Sequence, residues 1–194
     1  MSLHRHLNFA IPSPIPGLVV SDLDGTVVDC RQRFAMTESF AERDQLLKSV
    51  CDVWKPEIVC RLRALQAAGY ALLFLSGRCD SYWTRKQLDD QFESYVYVRN
   101  SSLYNPTRSS TLLKTEFFRQ LLSDREVCSK LHGPIMFFDD RLDIVQAVSK
   151  TLGDVEATAS LELLDDVYIS KIHHRWQCHH LESATVPRNA STSR

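Results

Sequence analysis

Residues 18–26, LVVSDLDGT, combine a short apolar run with two aspartates and a glycine. A run of this kind is typical of a strand buried on both faces of a parallel sheet. Asp22 and Asp24 lie two residues apart, so at the strand end their carboxylates point to the same side. Two such carboxylates need a cation beside them. The plainer alternative is an acidic turn, because turns are rich in Asp and Gly.

The strand pattern at 18–21 is the first of several along the chain. Strands are predicted at 18–21, 70–75, 95–98, 134–138 and 155–159. Helices are predicted between them at 36–50, 56–68, 80–92, 111–122 and 143–152. This alternation predicts right-handed crossovers and a three-layer, Rossmann-like α/β fold, with a parallel sheet covered by helices on both faces. Ligands of such sheets bind at the carboxyl ends of the strands, which is where we expect the functional residues.

Three further polar clusters follow predicted strands or begin a helix. Ser76-Gly77-Arg78 offers a hydroxyl and backbone amides that can cradle an anion. Lys114 lies in the first turn of a predicted helix, where a cation opposes the helix dipole; an ordinary surface lysine is the alternative. Asp139 and Asp140 end the fourth strand, and a hard divalent ion shared with the first cluster explains this acidic pair. A helix cap is the alternative for this pair.

Composition limits the remaining possibilities. The 194 residues are 44% hydrophobic with a net charge of −1, which predicts one ordinary globular domain and excludes an overall basic nucleic-acid coat. We expect an irregular lead-in at 1–16, a domain at 17–170 and a disordered, non-functional tail at 171–194 that contains four His residues and one Cys. The six cysteines form no CxxC pair, so we expect reduced thiols. No long apolar run or leader pattern occurs, which predicts a soluble, cytoplasmic protein without membrane contact.

The four clusters, in this order, resemble the four motifs of the haloacid dehalogenase (HAD) superfamily of phosphotransferases. The resemblance implies a Mg²⁺-dependent phosphatase with sheet order 5-4-1-2-3 and a minimal cap or none. It makes Asp22 the nucleophile and Asp24 the general acid and base. It places Mg²⁺ on Asp22, the Asp24 carbonyl and Asp140, with Asp139 reaching the ion through water. The substrate and its phosphate are then expected to contact Thr26, Arg33, Ser76, Gly77, Arg78 and Lys114.

A closer resemblance is to the 3′-phosphatase domain of bacteriophage-type polynucleotide kinase-phosphatase. It rests on Cys51-Asp52 through Pro56, Ser76-Gly77-Arg78, Tyr82 through Lys86, the helix around Lys114, and Asp139-Asp140-Arg141. Arg33, nine residues after Asp24, falls where that family keeps a functional arginine. The kinase half needs a GxxxxGK[ST] loop, and the sequence has none, so no ATP site is expected.

Three functions remain open from the sequence. The first is a nucleic-acid repair enzyme that removes phosphate from the 3′ end of DNA or RNA, since no large cap fits between the motifs and an open site admits a polymer end. Trp83, Arg85 and Lys86 favour it if they face the site, because aromatic and cationic groups interleave in single-strand binding surfaces. The second is a small-molecule or nucleotide phosphatase, and the third is a catalytically idle binding domain.

Overall fold

The computed structural model of the protein describes residues 14–50, 52–79, 81–89, 91–92, 95–98, 109–152 and 157–174. The strands are β1 Leu18–Ser21, β2 Val28–Asp29, β3 Val53–Trp54, β4 Ala71–Ser76, β5 Tyr95–Val98, β6 Ile135–Asp139, β7 Ala157–Leu164 and β8 Val167–His174. The helices are α1 Arg31–Met36, α2 Phe40–Leu46, α3 Pro56–Ala67, α4 Ser81–Asp89, α5 Ser110–Ser123, α6 Arg125–Lys130 and α7 Leu142–Leu152. Most of the predicted lead-in and the tail from 175 onward lie outside the described residues.

The main sheet has six strands in the order β5-β4-β1-β6-β8-β7. β1 pairs in parallel with β4 and with β6, and β4 pairs in parallel with β5. Among themselves, these four strands follow the order that the HAD resemblance implies. Because β1 lies between β4 and β6, its carboxyl end at Ser21 is flanked by the ends of both neighbours, and the motif that follows lies at the centre of this edge.

The predicted order 5-4-1-2-3 is wrong at one edge of the sheet, because the sequence reading missed β8. This strand lies between β6 and β7 and is antiparallel to both, so the sheet is mixed rather than wholly parallel. Asp165 and Asp166, with φ of 47° and 60°, form the two-residue turn that reverses the chain from β7 into β8. The strand buries Val167 and Ile169 and runs on to His174, so it includes the first four residues of the predicted tail, 171–174.

Helices cover both faces of the sheet, as predicted. Val19 and Val20 of β1 point to opposite faces and belong to two separate apolar clusters. Val20 packs in a cluster with Phe117 of α5 and residues of α7. Val19 packs in a cluster with Leu62 of α3 and Leu88 of α4. The central strands are therefore buried on both sides, which fixes the position of their carboxyl ends.

The segment between β1 and β4 differs from the prediction. Residues 36–50 were predicted as one helix, but the helix inside this range, α2, covers only Phe40–Leu46, and a separate short helix, α1, ends at Met36. Thr37 is extended and ends α1, and the Ser39 side chain accepts a hydrogen bond from the Glu42 amide to begin α2. β2 and β3 pair antiparallel on either side of these helices. The elements inserted between β1 and α3 are therefore short, and they do not form the large cap that the sequence excludes.

The described part of the chain also extends the fold at its start. Ile15 is buried and forms a parallel bridge with Leu131, so the end of the predicted irregular lead-in joins the core. Among the helices that the structure describes, none has the length and apolar character needed to cross a membrane.

Candidate active site

Three carboxylates meet at the carboxyl ends of β1 and β6. The Asp22 amide donates to the Phe138 carbonyl over 2.9 Å, which holds the end of β1 against the end of β6. As a result, Asp22, Asp139 and Asp140 each offer a carboxylate oxygen within 4.8 Å of the others. The pairing of the two parallel strands therefore produces a cluster of oxygen ligands from residues more than a hundred positions apart in sequence.

Lys114 is a positively charged partner of this acidic cluster. Its helix, α5, is capped by the Ser109 side chain, which accepts from the Leu112 amide. The Lys114 Nζ lies 3.0 Å from Asp22 Oδ1 and 2.7 Å from Asp139 Oδ2. Burial opposes its charge, but the two carboxylates outweigh burial and raise the pKa of Lys114. Only 1% of its surface is exposed, which excludes the surface-lysine alternative.

The charges of the cluster do not balance. Burial raises the pKa of Asp22 to about 7, and the carboxylates of Asp139 and Asp24 act in the same direction, against Lys114. Burial likewise raises the pKa of Asp139, although Lys114 and the Arg141 amide bond to its carboxylate. Three carboxylates thus lie together with one ammonium, which pairs with Asp22 and Asp139, and further positive charge would stabilise their ionised forms. Closely set carboxylate oxygens are ligands that Mg²⁺ prefers, so the residues present fit this ion.

Thr26 and Gly25 set the position of Asp140. The Thr26 hydroxyl donates to Asp140 Oδ1 over 3.1 Å and accepts from the Asp140 amide over 2.9 Å. Gly25 has φ of +84°, and a Cβ there would meet Asp140 Oδ2 at 2.4 Å. The phosphate-binding role predicted for Thr26 does not fit this geometry, because its side chain is buried and its oxygen is engaged with Asp140. Both residues instead shape the acidic cluster.

Asp24 belongs to a different group of charges, although it is two residues from Asp22. Its carboxylate accepts from Arg78 Nε at 3.1 Å and Arg78 Nη2 at 2.6 Å, and it also pairs with Arg33. Both arginines also form ion pairs with Asp52, whose Oδ2 lies 3.0 Å from the Nη2 atom of each arginine. Gln87 of α4 contacts this group as well, accepting from Arg78 Nη1 over 2.6 Å. Two carboxylates and two guanidiniums therefore form a buried, charge-balanced network.

The electrostatic effect on Asp24 is opposite to that on Asp22. Burial opposes ionisation of Asp24, but Arg78 and then Arg33 outweigh it and hold the pKa of this carboxyl below its usual value. The two aspartates of one motif therefore differ in protonation behaviour because of their partners rather than their burial.

A cleft of about 570 Å³ opens over both charge groups. Its lining comes from Asp22, Asp24, Gly25, Cys30, Arg31, Arg33, Phe34, Arg43, Asp44, Gly77, Arg78, Ser110, Lys114, Asp140, Arg141 and Ile144. Ser76 lies below this surface, where its hydroxyl oxygen accepts from the Arg78 amide over 3.2 Å. Cys30 is no nucleophile here, because burial raises the pKa of its thiol to about 12.

The structure brings most of the predicted site residues together. Asp22, Lys114, Asp139 and Asp140 share one cluster, but the Asp24 carboxylate faces the arginines rather than that cluster. The structure does not leave Arg33 and Arg78 as open phosphate-binding groups, since both are almost fully buried and paired with carboxylates. Trp83, Arg85 and Lys86 are not among the residues lining the cleft.

Sequence reasoning gave no role to two further residues. Asp52 joins the arginine network from just before β3, and Gln87 joins it from α4. The sequence signal for Asp52 was a charged residue within the otherwise apolar stretch 50–54 that precedes α3. Nothing in the spacing of Gln87 distinguishes it from an ordinary residue on an exposed helix face.

The parallel central strands, the acidic cluster at their carboxyl ends and the buried lysine agree with the HAD arrangement that the sequence predicts. The family comparison agrees: residues 16–153 match the model of the "Polynucleotide kinase PNKP phosphatase domain". That match spans most of the chain, which belongs to the PNKP phosphatase domain family.

Two solved structures are similar to the chain. One, described as "Structure of the Pnkp1/Rnl/Hen1 RNA repair complex", has a TM-score of 0.51 and 21% identity, covering 73% of this chain and 42% of its own. Another, "Structure of Pnkp1/Rnl/Hen1 complex", has a TM-score of 0.41 and 25% identity, covering 56% of this chain and 35% of its own. The chain thus spans less than half the length of each. None of the curated proteins compared matches it.

Proposed function

We propose that the protein is a Mg²⁺-dependent phosphomonoesterase that removes the terminal phosphate from the 3′ end of a polynucleotide. The observation that carries the proposal is the acidic cluster beneath the cleft, in which Lys114 Nζ lies 3.0 Å from Asp22 Oδ1 and Asp139 and Asp140 stand beside them. Membership of the PNKP phosphatase domain family supports the same chemistry.

Asp22 is proposed as the nucleophile. One of its carboxylate oxygens attacks the phosphorus, the bond from phosphorus to the 3′ oxygen breaks, and an aspartyl-phosphate forms. Water then attacks that phosphorus, and the bond to Asp22 breaks to release inorganic phosphate and the free carboxylate. This division into two displacements needs one group to protonate the leaving oxygen and later to take a proton from water.

Asp24 is proposed for both proton transfers. Arg33 and Arg78 hold its carboxylate at the cleft and keep its pKa low. A low pKa keeps the carboxylate ionised and ready to accept a proton from water, but it also makes the carboxylate a weak base. For the first step Asp24 must be protonated, and the negative charge of a bound phosphate raises the pKa of a neighbouring carboxyl. The arginine network thus acts mainly by positioning Asp24.

The acidic cluster is proposed to hold Mg²⁺. Asp22, Asp140 and the Asp24 carbonyl would be ligands, with Asp139 contributing through water. When bound, the ion supplies positive charge to the phosphoryl oxygens and offsets the repulsion between substrate and nucleophile. Thr26 and Gly25 keep Asp140 in place for this purpose.

The phosphoryl oxygens are proposed to contact Lys114 and the backbone at Gly77, both of which line the cleft. The Ser76 hydroxyl, fixed by the Arg78 amide, is proposed as a further donor beneath them. Fixed donors of this kind stabilise the charge that develops in the transition state without reorganising.

The polynucleotide substrate is proposed from the family and from the lining of the cleft. Arg31, Arg43 and Arg141 line the cleft beside the charged site. These cations favour a polymer with additional backbone phosphates over a small ester whose only charge is on the phosphate to be removed. One similar solved structure belongs to an RNA repair complex, so RNA ends are proposed together with DNA ends as substrates.

The test is phosphate release from four substrates: a 3′-phosphorylated oligonucleotide, its 5′-phosphorylated twin, a 3′-mononucleotide and an aryl phosphate. Each oligonucleotide is assayed as DNA and as RNA, with Mg²⁺ and with excess chelator. We expect the 3′-phosphorylated oligonucleotide to have the highest kcat/KM and all release to stop in chelator. A tenfold preference for the mononucleotide, about 1.4 kcal/mol of transition-state binding, would instead establish a nucleotide phosphatase.

A further inference from the structure

An aromatic ring and a guanidinium lie together in the wall of the cleft. Phe34 of α1 is 37% exposed, although it is a large apolar residue, and it lines the same cleft as Asp22 and Asp24. The Arg43 guanidinium of α2 lies over this ring, with its Cζ 4.4 Å from the ring centroid. We call these two residues the Phe34–Arg43 pair.

The pair is held rigidly relative to the catalytic aspartates. The Arg43 Nε donates to the Thr37 carbonyl over 2.9 Å, which orients the guanidinium plane. Arg33, the neighbour of Phe34 in α1, lies 5.2 Å from the same ring centroid and reaches Asp24 and Asp52 with its other contacts. One end of the pair is therefore anchored to the carboxylate proposed to protonate the leaving oxygen.

The other end of the pair is anchored across the cleft. Asp44, which follows Arg43 in α2, accepts from the Cys79 amide over 2.5 Å. Cys79 follows Arg78 in the loop after β4, so this bond joins α2 to the opposite wall of the site. Because both anchors are buried or half-buried, the pair is a preformed surface rather than a pair of mobile side chains.

Resting on the proposed function, we propose that the Phe34–Arg43 pair is the platform on which the base of the 3′-terminal nucleotide stacks. Every base has a flat π face, and aromatic rings and guanidinium planes are the two kinds of side chain that bases stack on. A base stacked there would orient the attached sugar and its 3′-phosphate toward Asp22. The pair would thus distinguish a nucleotide end from a phosphate ester that has no base.

The other exposed aromatic groups of the described chain do not compete for this role. Tyr82 is 65% exposed, and the Lys86 Nζ lies 4.9 Å from the centroid of the Trp83 ring, but these residues of α4 do not line the cleft. The Phe34–Arg43 pair combines a stacking surface with direct access to the reacting carboxylates.

The experiment compares two 3′-phosphorylated oligonucleotides that differ only in the last nucleotide, which either carries its base or is abasic. Wild type is compared with Phe34→Leu, which keeps an apolar side chain, Phe34→Trp, which keeps the aromatic face, and Arg43→Gln. Met36→Ala is the matched control, because Met36 is on the same helix and 58% exposed but does not line the cleft. Circular dichroism and Tm establish that each variant is folded.

We expect Phe34→Leu and Arg43→Gln each to lower kcat/KM for the base-bearing end roughly tenfold, within the range for one base–aromatic stack. For the abasic end, Phe34→Leu should change kcat/KM by less than about twofold, and Phe34→Trp should match wild type on both ends. Arg43→Gln should lose less on the abasic end than on the base-bearing end, because there it removes only a cation near the phosphates. Met36→Ala should change neither. As a second readout, a 2-aminopurine placed as the last base should lose fluorescence on binding to wild type and less on binding to Phe34→Leu.

Equal losses on the base-bearing and abasic ends, or no loss on either, would overturn the platform. Wild type would still prefer the 3′-phosphorylated oligonucleotide in those cases, so the proposed function would stand. If wild type shows no such preference, the proposed function has failed instead. The abasic comparison tests the platform and the four-substrate comparison tests the proposed function, so the two failures are distinguishable.

Discussion

The two aspartates of the DLD motif lie in opposite electrostatic surroundings. Asp22 shares the Lys114 ammonium with Asp139, stands beside Asp140, and has a pKa raised to about 7. Asp24 and Asp52 share two guanidiniums, and the pKa of Asp24 is lowered. A strand end thus presents two carboxylates on one side, and their partners from distant elements determine what each one does. The first group has a place for another cation, whereas the second is already balanced.

The largest effect that separates the two groups concerns the aspartates themselves. Asp22→Asn and Asp24→Asn should each lower kcat on the order of 10⁴-fold, and the double variant should be hardly worse, because residues that act as one unit are not additive. Their stabilities should differ, however. Asp22→Asn removes a charge from a crowded cluster and should change the free energy of unfolding by less than about 1 kcal/mol, whereas Asp24→Asn unbalances buried guanidiniums and should cost about 3 kcal/mol.

Denaturant unfolding in chelator measures this difference. If Asp22→Asn destabilises the fold as much as Asp24→Asn, the distinction between the two charge groups is wrong. An Asp22→Asn variant with near-normal turnover would exclude Asp22 as the nucleophile.

Lys114 tests the cluster from the side of its cation. Lys114→Met should lower kcat roughly 10²-fold, the usual loss for one donor that stabilises transition-state charge. The matched control is Lys130→Met, whose lysine forms a partly exposed pair with Glu126 at 3.7 Å and should have no effect on turnover. If Lys114→Met fails to fold, Lys114→Arg provides the test, because it keeps the charge but not the geometry. Unchanged turnover in a folded Lys114 variant would contradict its role.

Asp52 tests the balanced network at a position away from the reacting atoms. Asp52→Asn should lower kcat about tenfold, because Arg33 and Arg78 lose the partner that fixes them, and small misplacements of catalytic groups cost rate. It should also destabilise the fold by about 3 kcal/mol, the scale of breaking a buried ion pair. Asp143→Asn, which disrupts the exposed Arg141–Asp143 pair, is the control and should cost less than about 1 kcal/mol. Unaltered kcat in Asp52→Asn would show that the network is structural only.

Substitution of Thr26 has the smallest expected effect and tests whether this residue positions Asp140. Thr26→Val removes both hydrogen bonds to Asp140 and should raise the Mg²⁺ concentration for half-maximal activity about tenfold, as for other groups that orient metal ligands. Thr26→Ser keeps the hydroxyl and should resemble wild type. The measurement is a Mg²⁺ titration of phosphate release. An equal rise in both variants would assign Thr26 to packing.

The convergence of Asp22, Asp139 and Asp140 could be predicted because apolar strands followed by acids imply adjacent carboxyl ends in a parallel sheet. Lys114 was placed with them only by the resemblance to the HAD motifs. The partners of Asp24 could not. Arg33 and Arg78 were assigned to the substrate because arginines suit phosphates, but Asp52 competes for the same guanidiniums, and only the folded chain places it there. Charge pairing between distant loops leaves no periodic signal.

The missed strand has a different cause. The first half of β8 lies in the predicted domain, but the alternation of the apolar Val167 and Ile169 with Tyr168 and Ser170 was not recognised as a strand. Its last four residues fall in the predicted tail, which was inferred from a polar composition. The two-residue turn at Asp165 and Asp166 was the local signal for the hairpin. Strand order at a sheet edge depends on such turns, whereas the central order follows from the repeated crossovers.

The division of work between Asp22 and Asp24 is tested most directly by trapping the intermediate. An aryl phosphate has a leaving group that needs no proton, so Asp24→Asn should still transfer phosphate to the enzyme but should not activate water to release it. We expect rapid acid quench and peptide mass spectrometry to find close to one phosphate per Asp24→Asn molecule, on Asp22, with a burst of released phenol. Asp22→Asn should show neither. Continued turnover by Asp24→Asn, or phosphate on any residue other than Asp22, would contradict the account.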